Sequence, residues 1–114
     1  SAAGHVNPSL PLARGLVARG WRVDFLATAQ FEGAISDTGA TFCDRDKVCK
    51  EHGGIEDVTK MVIATAQEYG DPPPQWWLNF GSIAASQLLP VYLSWFKAEM
   101  PQLVVYCPVL CQVA

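Results

Sequence analysis

The chain has 114 residues, half of them hydrophobic and 17% charged, and its formal net charge is −3. This length suits one domain or part of one, and the acidic balance excludes the clustered basic surface that nucleic acid or an anionic membrane requires. No apolar run approaches the roughly 20 residues that cross a bilayer, and the first residues lack the charged and apolar regions of a secretory signal. We therefore expect a cytoplasmic protein with no membrane span and no nucleic-acid partner.

The first predicted element is a helix that begins near Pro8 and ends at Gly20. A proline suits the first turn of a helix, where its missing N–H is not needed. His5 is then expected in a loop just before the N-terminus of this helix, where the positive end of the helix dipole disfavours an imidazolium. A neutral imidazole in that place can act as a base. The apolar residues that recur with helical spacing are Leu10, Leu12, Ala13, Leu16 and Val17.

Two strands and a second helix follow. Residues 21–27 have the β-branched and aromatic content of a buried strand, Thr28 offers a cap for a short helix ending at Gly39, and residues 41–43 form a second strand. Alternating helices and strands with short connections predict parallel strands joined by right-handed crossovers. The fold class is therefore α/β, a Rossmann-like parallel sheet with flanking helices. Because a loop leading into such a helix normally follows a strand, we expect the first strand upstream of Ser1.

The next stretch loses its apolar periodicity. Residues 44–54 are polar and predict a surface loop after a strand, in which His52 is solvated. Helical spacing returns over residues 58–69, with Asp57 as a cap and Gly70 as a stop.

The last third of the chain predicts one long helix and one strand. Pro72-Pro73-Pro74 breaks the chain, and a helical pattern then runs over residues 75–99. Pro90 lies inside this pattern and predicts a kink or a second helix start. After Pro101, the apolar run at 103–107 predicts a fully buried strand.

The cysteines indicate reduced thiols more than a metal centre. Cys49 and His52 could combine with two later cysteines to bind a metal, but their spacings match no familiar zinc or redox motif. We expect no metal. The four cysteines are Cys43, Cys49, Cys107 and Cys111.

Several stretches resemble one enzyme family. GHVNPSLPLA at 4–13, LVARGWRV at 16–23 and GATF at 39–42 resemble the N-terminal domain of sugar-nucleotide-dependent glycosyltransferases of GT-B fold, above all the UDP-glycosyltransferase and macrolide glycosyltransferase group. PQLVVY at 101–106 resembles the strand that closes this domain's sheet. The resemblance implies that residues 1–114 are a partial N-terminal, acceptor-side domain without the C-terminal, donor-binding domain.

The same resemblance implies an activity for the parent enzyme. It would transfer a hexose from a nucleotide sugar, expected to be a UDP-sugar, to a hydroxyl of a small lipophilic acceptor with inversion at the anomeric carbon. The sugar nucleotide is a co-substrate, and no further cofactor is expected. The chain by itself is expected to be inactive, because the donor is bound mainly by the other domain.

The family's catalytic pair maps onto two positions here. By resemblance His5 is the general base that takes the proton of the acceptor hydroxyl. An Asp normally accepts the imidazole N–H, and Cys107 stands at its position. A neutral thiol is a weak hydrogen-bond acceptor, so this departure weakens both the orientation and the charge compensation of the histidine. Asp44 or Asp46, after the second strand, could substitute.

The acceptor pocket of the family lies in this domain, beyond the strand ends. The residues that could line it for a flat lipophilic acceptor are Met61, Trp76, Trp77 and Phe80. An aromatic stripe at helical spacing is more often part of a core, which is the alternative interpretation of these four residues.

Two other functions compete with the glycosyltransferase. A non-catalytic small-molecule binding module, or an inactive remnant of the same fold, would keep the pocket without the chemistry, and Cys107 favours it. A nucleotide-binding domain of an oxidoreductase is disfavoured, because no Gly-x-Gly-x-x-Gly follows a strand.

Overall fold

A computed structural model of the chain describes residues 2–68 and 75–106. The chain divides into two compact units, Ser1–Lys47 and Val48–Ala114. In chain order the elements are α1 (Ala2–Val6), a 3-10 turn (Asn7–Ser9), α2 (Leu10–Ala18), β1 (Asp24–Ala27), a second 3-10 turn (Ala29–Phe31), α3 (Glu32–Ser36), β2 (Thr41–Asp44), α4 (Arg45–Gly53), α5 (Val58–Glu68) and α6 (Gln75–Glu99).

The first unit contains the predicted alternation of helices and strands. β1 and β2 form a parallel pair, in register from Asp24 opposite Thr41 to Ala27 opposite Asp44. The parallel direction and the α/β class are therefore confirmed, although the described residues contain a sheet of two strands only. β1 is shorter than the predicted 21–27, because its ladder extends no further than the four residues of β2.

Helix α2 ends where the sequence predicts. The N–H of Gly20 donates to the carbonyl of Val17 at 3.0 Å, and the N–H of Trp21 donates to that of Leu16 at 3.1 Å. Gly20 has a φ of +91°, so these bonds make the left-handed ending that satisfies the last carbonyls of a helix.

The core of the first unit lies between the helices and the strand pair. Ile35 of α3 is fully buried at its centre. Thr38 is also buried, and its hydroxyl donates to the carbonyl of Ile35 at 2.6 Å and accepts from the N–H of Ala40 at 3.2 Å. A buried hydroxyl that both donates and accepts carries little desolvation cost. The buried members of this core are Ala13, Ala27, Ile35 and Ala40, and Leu10, Val17, Val23, Phe25, Phe31 and Phe42 pack against them.

The predicted loop at 44–54 is wrong, because most of it forms α4. Val48 and Cys49 are buried on this helix, so a short apolar face stabilises it despite its polar composition. Asp46 lies in its first turn, while Lys50 and His52 lie in its last, which is the charge arrangement that a helix dipole favours.

Helix α5 begins at the predicted cap. A side-chain oxygen of Asp57 accepts the N–H of Lys60 at 2.9 Å, and the carbonyl of Asp57 accepts the N–H of Met61 at 3.0 Å. α5 packs against α6, and the buried residues among the described side chains of these two helices are Val58, Leu88, Val91 and Tyr92. The predicted stop at Gly70 and the break at 72–74 lie outside the described residues.

Helix α6 confirms the predicted span, and Pro90 lies within it without ending it. The helix stops before Met100, which has a φ of +51°. The predicted buried strand is wrong for residues 103–106, which have no strand pairing and are 41–64% exposed. An apolar run becomes a strand when a neighbouring strand pairs with its backbone, and pairing of this kind is not found for it among the described residues.

None of the helices within residues 2–68 and 75–106 is both long and apolar enough to cross a membrane.

Candidate functional site

The candidate site of the first unit is the edge of the sheet where β1 and β2 end. Val17, near the end of α2, contacts Gly39, which lies just before β2 begins. The end of α2 therefore lies at the amino ends of the strands. Leu10 and Ala13 of α2 also pack on the core of this unit. Ligands of open α/β sheets bind at the edge where the strands end.

His5 lies in the segment that precedes α2 and is half-buried. The structure corrects its expected surroundings, because His5 is in the last turn of α1 and not in a loop. Val6 and Leu10 have helical backbone angles, so the helical path continues through the 3-10 turn into α2. The hydroxyl of Ser9 donates to the carbonyl of His5 at 3.2 Å.

The continuous helical path from α1 to α2 changes the expected position of His5 relative to the helix dipole. The unpaired N–H groups of a helix lie in its first turn. The helical path begins at Ala2, so His5 lies at the end of that first turn and not in front of α2. Pro8 lacks an N–H, and the backbone changes from α to 3-10 geometry around it instead of starting a new helix. The role of His5 as a base is thus a prediction from resemblance, and its expected place in a loop before the first helix is wrong.

Two carboxylates lie at the carboxyl end of β2, where Asp44 is the last residue of the strand and Asp46 lies in the first turn of α4. Asp44 is half-buried, and its Oδ1 accepts the N–H of Asp46 at 2.9 Å. The guanidinium of Arg45 donates to Oδ1 of Asp46 from Nε at 3.1 Å and from Nη2 at 2.9 Å. Arg45 thus forms an ion pair with Asp46, whereas Asp44 accepts a backbone N–H.

The other predicted site residues belong to the second unit. Met61 is half-buried on α5, and Trp76, Trp77 and Phe80 lie in the first turns of α6, with side chains outside the described part of the structure. Cys107 lies outside the described residues. The structure therefore places His5 in α1 and Asp44 at the carboxyl end of β2, and it does not test the predicted acceptor pocket.

His52, which the sequence predicts to be solvated in a polar loop, has different surroundings in the structure. It is half-buried on α4, and its Nδ1 lies 3.1 Å from the hydroxyl of Ser94 on α6. The imidazole therefore joins two helices of the second unit instead of lying solvated in a loop. A pair separated by 42 residues has no spacing signal, so the sequence offered no way to predict this contact.

The thiols and carboxylates of the described residues do not assemble into a metal centre. No group of three His, Cys, Asp or Glu side chains within residues 2–68 and 75–106 is arranged to hold a metal ion. Cys43 is half-buried and Cys49 is fully buried, and neither forms a disulfide.

Comparison with known proteins finds one related sequence of known class. The chain is 49% identical over 39 residues to the NDP-glycosyltransferase YjiC of Bacillus licheniformis. The match covers 34% of this chain and 10% of the Bacillus protein, so the chain spans a small part of that relative's length. No family model matches the chain, and no solved structure matches it. The similarity supports a relationship to glycosyltransferases over the matched segment.

Proposed function

We propose that this chain is part of the N-terminal, acceptor-side domain of an inverting glycosyltransferase of GT-B fold that uses a nucleotide sugar. The observation that carries this proposal is the 49% identity over 39 residues to an NDP-glycosyltransferase. The parallel strand pair of the first unit supports it, because sugar-nucleotide enzymes of this type are built on such sheets. In the parent enzyme the donor would be a UDP-sugar, bound mainly by a second domain, and the acceptor a small lipophilic alcohol or phenol.

In this proposal His5 is the general base. The imidazole takes the proton of the acceptor hydroxyl while its oxygen attacks the anomeric carbon. The new bond joins that oxygen to the sugar, and the bond from the anomeric carbon to the phosphate oxygen breaks, so its electron pair leaves with the nucleoside diphosphate. Attack from the face opposite the leaving group inverts the anomeric carbon. General-base catalysis of this kind contributes about 10²–10⁴-fold in rate.

The test is a chimera of the Bacillus glycosyltransferase in which residues 1–44 of this chain replace the corresponding segment. We expect the chimera to transfer sugar to a phenolic acceptor, and His5→Ala to lower kcat/KM by about 10²–10⁴-fold. Binding of the sugar nucleotide, measured by calorimetry, should be unchanged. Arg14→Ala is the matched control, because Arg14 is exposed on α2, and it should keep full activity.

Two outcomes would contradict the proposal in different ways. A folded chimera that binds donor but transfers no sugar would mean that residues 1–44 cannot serve as the acceptor side of a glycosyltransferase. An active chimera in which His5→Ala turns over normally would keep the family relationship and remove His5 as the base.

A second candidate function is a binding module that has kept the pocket and lost the chemistry. The observation that favours it is Cys107, at the position of the family's Asp. In a longer chimera that includes residues 1–110, we expect a low rate of sugar transfer. Cys107→Asp should raise kcat/KM by at least about tenfold. For comparison, loss of the triad carboxylate lowers the rate of a serine protease by ~10⁴-fold. Cys107→Ser is the control and should give no gain. If Cys107→Asp changes nothing in an active chimera, another carboxylate serves the histidine.

A further inference from the structure

We draw no further inference here: the strongest candidate, the exposed apolar surface at the end of α6 formed by Leu93, Met100 and residues 103–106, carries nothing, because no feature of the described residues shows what covers it.

Discussion

Gly39 joins α3 to β2 with a φ of +87°, a backbone conformation that residues with a Cβ rarely adopt. An added Cβ would also lie 2.8 Å from Cγ1 of Val17, and a β-branched side chain has little freedom to move away. We expect Gly39→Ala to lower the free energy of unfolding by about 1–3 kcal/mol. Urea unfolding of the 114-residue chain, followed by circular dichroism, measures this change.

Gly33 is the matched control for that substitution. It lies within α3, and nothing stands within 4 Å of a Cβ added there. Gly33→Ala should leave stability unchanged or raise it by up to about 1 kcal/mol, because alanine loses less backbone entropy in a helix. Equal losses at both positions would mean that the left-handed turn and the contact with Val17 are not what constrains Gly39.

At the residue scale, the sequence predicts the chemical role of a residue better than the backbone structure around it. The resemblance of GHVNP at 4–8 singles out His5, and the left-handed turns at Gly20 and Gly39 follow from glycine chemistry alone. The backbone around His5 is different from the prediction, because Pro8 suits the start of a helix and so predicts a loop in front of it. The structure instead has a helical path from Ala2 that changes to 3-10 geometry around the proline.

Among the elements, α5 has the best-defined start. The Asp57 carboxylate accepts the N–H of Lys60 at 2.9 Å, so it satisfies one of the donors that the first turn leaves unpaired. We expect Asp57→Ala to lower the free energy of unfolding by about 0.5–2 kcal/mol. Asp57→Asn keeps the accepting oxygen and is the control. Urea unfolding of the two variants compares them directly.

The two substitutions separate the hydrogen bond from the charge. If capping is the cause, the Asn variant keeps most of the stability that the Ala variant loses, since Asn and Asp cap helices about equally. If Asn and Ala are equally destabilising, the attraction between the negative charge and the helix dipole is the larger effect, and the bond to Lys60 is not the main contribution.

Elements with a strong internal pattern were predictable, and those that depend on distant partners were not. α6 carries enough helical periodicity to be predicted through Pro90. α4 was missed because its apolar face is limited to Val48 and Cys49, although Asp46 at its start and Lys50 near its end were available signals. Residues 103–106 have the composition of a strand, but composition does not supply the pairing partner that a strand requires.

For the molecule as a whole, α/β class and parallel direction follow from the order of the elements, because a helix between two adjacent strands leaves little choice. The position of Asp44 at the carboxyl edge of the strand pair follows from the same order, because Asp44 is the last residue of β2. Assembly of the acceptor pocket is a different problem. The predicted pocket depends on residues far apart in the chain, and local periodicity carries no information about contacts between them.

The surface of the whole molecule leads to one prediction about solubility. Residues 103–106 are four consecutive uncharged residues with high strand propensity, and Val105 is 60% exposed. Exposed apolar segments of this kind promote association between chains. We expect Val105→Lys to lower concentration-dependent light scattering while changing the free energy of unfolding by less than about 0.5 kcal/mol, because the side chain is exposed.

Leu12→Lys adds the same charge on α2, where Leu12 is 49% exposed, and should reduce scattering much less. Equal reductions would attribute the effect to net charge, whereas a large loss of stability in Val105→Lys would show that Val105 is packed in solution.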